Sequence, residues 1–506
     1  MGATSVAVST TVDSNSTSSG GNCKITVYRD KCEMYNYVKF WRNQLRPKDC
    51  YESPLRVHNP TNETEKFLLF EPDNGGWNNI RMAAETAIIF AHATGRTLVM
   101  PPVAKWYLLN RNKKDEDNHS TFNKFFDISK LEETIKIISM EDYIDNVARK
   151  GLLKVPFPAE FAQMPTNEFL SPGAKRVWHY LEQSSYVREW EPGKIFIGFN
   201  FEKGPDNQII YRPFEAYNNR NFTNLNNQRL KRFSSHGRLV LPYDEFLHSQ
   251  QSIYFPGDYR NTHRILTHFY TYLYFEDHHL EHIYKRLVRD RLHYHDDIFC
   301  AAGRAVAVLH KLSASINNIP PQETSNQDPV TLGGNTNIGP TYFAYHIRRG
   351  DFQYKHTKLS AEQIYNNTKH LFPPGVTRLL YISTDETQKS FFNVFREHFH
   401  VVFLHDILDN ARLGDAHLNQ NHIGMVEQVI CANAHTFVGT PLSTFTGYIT
   451  RMRGYYRDQR YKRTFYTMRD QMYSLHHQEE IKGPFWAREF SVSHKEIDDD
   501  SKAIDG

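Results

Sequence analysis

The chain lacks a long apolar run, a patterned set of cysteines and a dominant charge, and each absence removes a class of function. No stretch of its 506 residues approaches the eighteen or so consecutive apolar positions of a membrane span, and no apolar signal-peptide core follows Met1. A soluble chain is therefore expected, or one trimmed of its targeting segment. Val6 stands where N-myristoylation requires Ser or Thr, so that anchor is not expected either. The five cysteines, Cys23, Cys32, Cys50, Cys300 and Cys431, form no C-x-x-C pair and no zinc-ligand spacing, although three in the first fifty residues hint at a disulfide there. Lys and Arg number 60 against 57 Asp and Glu, a formal net charge of +3, so nucleic acid is not an expected partner and any basic site has to be local.

What is present is enough apolar material for sizeable cores, 40% hydrophobic and 14% aromatic, in a length that suggests roughly two to four domains. Residues 1–22 are Ser, Thr, Gly and Val without periodicity and read as a tail; residues 23–64 read as a stem. An Asn-, Pro- and Gly-rich stretch, 313–340, separates an N-terminal α/β domain, 65–312, from a C-terminal one, 341–490, and a polar tail follows at 491–506. In the first domain "EKFLLFEPDNGGWNNIRMAAETAIIFAHATGRTLVMPP" scans as strand, glycine turn, helix and strand, a βαβ unit. The second domain alternates short apolar strands with helices from "YFAYHI" to "TFVG", and a further helix follows Pro441. Short buried strands between helices predict parallel sheets covered on both faces, and two α/β domains facing each other across a cleft.

Three segments carry the chemistry. In a parallel α/β sheet ligands bind beyond the carboxyl ends of the strands. "HIRRGDF" places His346, Arg348, Arg349 and Asp351 at such an end, where one arginine can fork onto a phosphate and a carboxylate such as Asp351 can brace the pair. A salt bridge capping the sheet explains this segment equally well when it is read alone. "FVGTPLSTF" runs a strand into Gly439 and opens a helix at Ser443 and Thr444, a helix start that can hold an anion or be an ordinary N-cap. "DNGGWNNIR" supplies Gly75, Gly76, Trp77, Asn78, Asn79 and Arg81 at the first helix start, without the spacing of a Walker loop or of G-x-G-x-x-G. The H-x-x-E-H pattern from His278 to His282 matches a zinc motif, but a solvated helix face accounts for so charged a segment, and the basic stretch after Arg451 reads as an exposed helix.

Residues from about 66 to 102 and 341 to 450 resemble the GDP-fucose protein O-fucosyltransferases, of the type that modifies thrombospondin repeats. "HIRRGDF", "YISTD" and "EQVICANAHTFVGTPLSTF" carry the resemblance, which is thin over 103–312 and absent from both tails. It implies a GT-B-like fold of two Rossmann-like domains, and inverting, metal-independent transfer of fucose from GDP-fucose. It also implies that His346, Arg348, Ser443, Thr444 and Phe445 contact the donor, with Gly75, Gly76, Trp77, Asn78 and Asp385 around it. Glu427 stands where the family usually has the aspartate that reads guanine; a carboxylate can accept both N1–H and the exocyclic amine. Gly75 stands where the type has a glutamate base, which leaves Glu71, Asp73 and Glu85 as nearby carboxylates and Asp73 as the nearest.

The expectation is that Asn79 and Arg348 organise the reacting groups with Asp73 as base, no metal and no cofactor, and a protein Ser or Thr hydroxyl as acceptor. A glycan acceptor, or a non-catalytic binding protein that kept the cleft, are the alternatives; a zinc peptidase at His278 is a third. Family habit, the N-terminal cysteines and sequons at Asn15, Asn62, Asn118, Asn221 and Asn366 point to the ER or Golgi lumen.

Overall fold

A computed structural model describes residues 53–55 and most of 64–455, with scattered positions beyond; 107–120, 215–229, 258–264, 319–339, 412–419 and 469–493 are the longer internal segments outside it. The expected tail at 1–22, nearly all of the stem, most of the 313–340 stretch and most of 491–506 lie outside the described residues, as do the first-fifty cysteines. The described strands are β1 (Phe67–Phe70), β2 (Thr97–Met100), β3 (Ile137–Ser139), β4 (Ile195–Phe199), β5 (Phe201–Lys203), β6 (Ile209–Tyr211) and β7 (Leu239–Pro242). They continue with β8 (Ser252–Phe255), β9 (Leu273–Phe275), β10 (Phe343–Ile347), β11 (Leu379–Thr384), β12 (His400–Val402), β13 (Thr436–Gly439) and β14 (Thr464–Phe465). The helices that matter for the site are α1 (Trp77–Ala93), α2 (His278–Arg291), α3 (Asp296–Ile316), α4 (Ala361–Thr368), α5 (Ile423–Ala432) and α6 (Thr444–Tyr455).

Two parallel sheets dominate, in the orders β3-β2-β1-β8 and β12-β11-β10-β13-β14, as the α/β, GT-B-like expectation requires. The period-2 geometry of a strand explains how apolar runs serve both faces at once. Leu68 and Phe70 of β1 enter the same core as Leu379 and Tyr381 of β11, while Phe67 and Leu69 face a separate cluster on the far side. Leu380 and Ile382, with Phe343, Tyr345 and Ile347 of β10, fill a third cluster behind the second sheet. The central core is thus shared by both halves. The first half also holds a three-stranded parallel sheet, β7-β4-β9, and an antiparallel hairpin, β5-β6, in the region where the sequence pattern was thin.

Helix α1 follows the glycine turn because Ile80, Ala84, Ala87, Ile88 and Ala91 recur at helical spacing, and it ends where Gly95 adopts φ 68° and Arg96 N–H donates back to Ala91 O at 2.9 Å. Every residue of α1 except Asn79 is buried.

Three expectations are corrected. Helix α3 runs on to Ile316, past the expected boundary at 313, and packs on α5 and β11 of the second sheet. Helix α2 is not a solvated face: Glu281, His282, Lys285, Arg286, Arg289, Asp290 and Arg291 are all buried, with Glu281 paired to Lys285 at 2.8 Å. Helix α6 is likewise interior, although most of the basic stretch after Arg451 lies outside the described residues, and Arg453 donates to the carbonyls of Ala432, the last residue of α5, at 3.1 Å, and His435, at 3.0 Å. Cys300 is disulfide-bonded, and Cys431 is buried and free. No helix among the described residues is long and apolar enough to cross a membrane.

Candidate active site

Register assembles the second-half site. His346 of β10 lies between Ser383 of β11 and Gly439 of β13. A Cβ at Gly439 would sit 2.1 Å from Thr446 Cγ2, so glycine is what lets α6 dock over the strand end. That approach brings Thr446 Oγ1 within 2.7 Å of His346 Nδ1 and stacks Phe445 on the imidazole, centroids 4.4 Å apart. Burial, and then the neighbouring Arg348 cation, push the His346 pKa down to about 3, so the ring is neutral and acts as a hydrogen-bonding surface rather than a charge.

Beyond His346 the chain turns through Arg348, whose backbone N–H donates to Thr440 Oγ1 at 2.9 Å. The Arg348 guanidinium lies over the Phe352 ring at 4.5 Å and donates to the backbone carbonyl of Asp351 at 2.9 Å. The neighbouring strand supplies a carboxylate brace. Asp385, at the end of neighbouring β11, accepts the N–H groups of Arg349 at 2.6 Å and Gly350 at 3.0 Å and stands 4.0 Å from Arg348 Nε. Glu386 pairs with Arg349 at 2.9 Å, and the Arg349 guanidinium packs on Phe391. Both arginine side chains are part-exposed beside the strand end, Arg349 paired with Glu386 and Arg348 packed on Phe352. The pairing of "YISTD" with "HIRRGD" through parallel register was the available signal for this brace.

Between β13 and α6, Leu442 adopts φ 63°, a left-handed conformation that a branched side chain takes only under strain. It turns Ser443 into place ahead of α6, where the Ser443 carbonyl accepts the Gly447 N–H at 2.9 Å.

The first-half turn meets this helix start directly. Asn79 Oδ1 accepts from Thr444 Oγ1 at 2.9 Å, and Asn78 Oδ1 accepts from Gln428 Nε2 at 3.1 Å. Deeper down, Arg81 covers the Tyr448 ring at 3.8 Å, and Glu85 takes both contacts from Arg451 at 2.8 Å. Because the partners ascend together along both helices, α1 and α6 run side by side in the same direction. Their N-termini open at one place, and neither has an acidic residue in its first turn. Two positive helix ends, with Arg348 tied through its backbone to Thr440 just ahead of α6, suit a multiply charged anion.

The remaining predicted residues occupy distinct roles. Gly75 is required by crowding, since a Cβ there would lie 2.1 Å from Asn79 Nδ2 and 2.7 Å from Asp73 Oδ1. Asp73 is buried and accepts the Gly75 N–H at 2.6 Å. Trp77 does not face the patch: it stacks on Phe125 at 4.1 Å and its indole N–H donates to Tyr294 at 3.3 Å. Gly76 is the N-cap of α1. Of the other carboxylates, Glu71 accepts from Tyr254 and Gly257, and Glu85 is enclosed by two arginines. Glu427 on α5 accepts from Tyr381 at 3.1 Å, and burial raises its pKa to about 7. Gln428, which sequence reasoning passed over, joins α5 to Asn78, to the Phe445 carbonyl at 3.4 Å and to Tyr294 at 3.0 Å. Among the described residues no group of three or more His, Cys, Asp or Glu could hold a metal ion, the His278 motif included.

A match to the GDP-fucose protein O-fucosyltransferase family covers residues 67–456, from the first residue of β1 to just past the end of α6. The chain belongs to that family. It is a GDP-fucose-dependent glycosyltransferase. No curated relative matches the sequence. Among solved structures similar to this family member, POFUT1 in complex with GDP-fucose is 10% identical, with 80% of this chain and 99% of that one covered and a TM-score of 0.34. The fucosyltransferase NodZ from Bradyrhizobium is 14% identical, with coverage of 77% and 94% and a TM-score of 0.36. These likenesses are distant, and the functional reading below rests on the family match and on the site itself.

Proposed function

We propose that this fucosyltransferase moves fucose from GDP-fucose to a Ser or Thr hydroxyl of a protein, with inversion and without a metal. The observation that carries the reading is the meeting of the N-termini of α1 and α6 through Asn79 and Thr444, with Arg348 tied by its backbone N–H to Thr440 just ahead of α6. Cleavage of the fucose–phosphate bond leaves negative charge on GDP, and preformed dipoles and a guanidinium stabilise it without reorganisation. These groups supply the positive charge that a metal ion provides in other transferases.

In this reading Glu427 pairs with the guanine edge, neutral His346 and Phe445 line the nucleotide, and Asn79 aligns the sugar from the opposite half. Asp73 takes the proton of the attacking hydroxyl late in the reaction. It is the carboxylate at the glycine turn, where a Cβ on Gly75 would touch both Asp73 and Asn79, whereas Glu85 is enclosed by two arginines. The compartment proposed is the ER or Golgi lumen, supported by the disulfide at Cys300 and by the exposed sequon residue Asn366.

The test is product analysis by mass spectrometry on folded peptide and oligosaccharide acceptors, with and without EDTA. Fucosylated peptide at undiminished rate in EDTA is the expected result. Fucose on the oligosaccharide alone would move the acceptor assignment to glycans.

A further inference from the structure

We infer that the buried triad of Arg81, Glu85 and Arg451 is a positioning device that holds the helix starts of the site in register. The inference rests on the proposed function above, because it assigns the triad a role in bringing Asn79 to a donor bound by the second half. All three side chains are buried, at 0%, 1% and 0% exposure. Arg81 contacts Glu85 at 2.5 Å within α1, and a single Arg451 nitrogen on α6 reaches both Glu85 oxygens at 2.8 Å.

The triad lies level on both helices. Glu85 is six residues past Asn79 and Arg451 seven past Thr444, which puts the ion pairs about 9 to 10.5 Å below the Asn79–Thr444 hydrogen bond on each side. Stability alone does not call for charges here, since desolvating them offsets most of their attraction and apolar packing would seal the seam as well. What charges add is direction: one carboxylate gripped from both helices fixes their rotation and their rise. The surroundings are arranged for that grip, with Arg81 over Tyr448, Arg451 beside the Tyr270 ring, and His268 3.4 Å from Arg451. Burial and the two guanidiniums hold that histidine neutral.

None of the three residues belongs to the donor contacts, so their effect reaches the reaction through Asn79 and Thr444. The test compares the full chain with Glu85→Gln and Arg451→Lys by amide hydrogen exchange, GDP titration and transfer kinetics. Arg451→Lys keeps the charge but is shorter and loses the guanidinium plane that lies beside Tyr270 and reaches His268, and it serves where Glu85→Gln fails to fold. In a folded variant, exchange over residues 75–80 and 443–447 is expected to rise at least tenfold while β10 and β11 keep their protection. With that, kcat falls at least tenfold and GDP affinity stays within threefold. Unchanged exchange at both helix starts in Arg451→Lys overturns the proposal. Equal losses of kcat, GDP affinity and global protection also overturn it, because they mark a purely structural role. Failure of the wild-type chain to bind GDP would sink the fucosyl-transfer reading instead, and the exchange measurement would still decide the triad.

Discussion

The two helix starts that meet at the site are built on one plan and equipped differently. Each follows a buried parallel strand, each needs a glycine where a Cβ would collide, at Gly75 and at Gly439, and each opens a helix whose first turn carries no acid. Around Gly439 the neighbours are fixed by charge and by register: Thr440 bonds the backbones of His346 and Arg348, and Asp385 at the end of the next strand accepts from Arg349 and Gly350. Around Gly75 the polar neighbours include Asp73 and Asn79, and the turn sits on an aromatic bed of Trp77, Phe125 and Tyr294. On the proposed function this difference becomes a division of labour, with most of the donor charge handled by the second half and the geometry of attack by the first.

The strongest way to break that division is Arg348→Ala. Transfer should fall about a thousandfold in kcat/KM, the range seen when one preformed stabiliser of developing charge is removed. Melting should stay close to wild type, because the Arg348 side chain is part-exposed and the bond to Thr440 comes from its backbone. Equal damage from a first-half substitution on GDP binding would contradict the division.

Next is Asp73→Asn, which keeps an oxygen for the Gly75 N–H and removes only the capacity to take a proton. A loss of about a hundredfold or more in kcat, with GDP affinity unchanged, is expected of a base. If only Asp73→Ala is slow, Asp73 shapes the turn and another group takes the proton.

The glycines then sharpen the contrast. Gly439→Ala drives a methyl to 2.1 Å from Thr446 and should cost about 1–3 kcal/mol, read in a denaturant titration, together with GDP affinity. Gly75→Ala presses on the end of the Asn79 side chain and should lower kcat more than stability.

The smallest expected effect is a pH dependence. Because Glu427 titrates near 7 in the empty site, and guanine requires its ionised form, GDP binding should tighten roughly tenfold from pH 6 to 8 and release a proton. In Glu427→Gln the dependence should vanish. For the unliganded fold the sign is opposite: a raised carboxyl favours the native state most below its ordinary value of 4.5, and that advantage is lost as pH rises through about 7.

Much of this was legible in the sequence where local physics decides. The βαβ unit and the strands at 343–347 and 436–439 follow from apolar period and turn residues, and "HIRRGDF" and "PLSTF" are charge and capping signals at strand ends. What stayed hidden depends on partners far apart in the chain. Glu85 and Arg451 are 366 positions apart, so nothing local distinguishes them from surface charges. The charges of α2 read as solvated for the same reason, and Trp77 read as a ligand contact because its aromatic bed comes from residues 122–126 and 294. Gln428 and Thr446 carry no local signal, and only the fold brings their partners Asn78 and His346 close.

The most direct test of the division between the halves is calorimetric titration of GDP into wild type, Arg348→Ala and Asp73→Asn. The account predicts binding by wild type, an equal dissociation constant for Asp73→Asn, and one at least tenfold weaker for Arg348→Ala. Wild-type affinity in Arg348→Ala would contradict it.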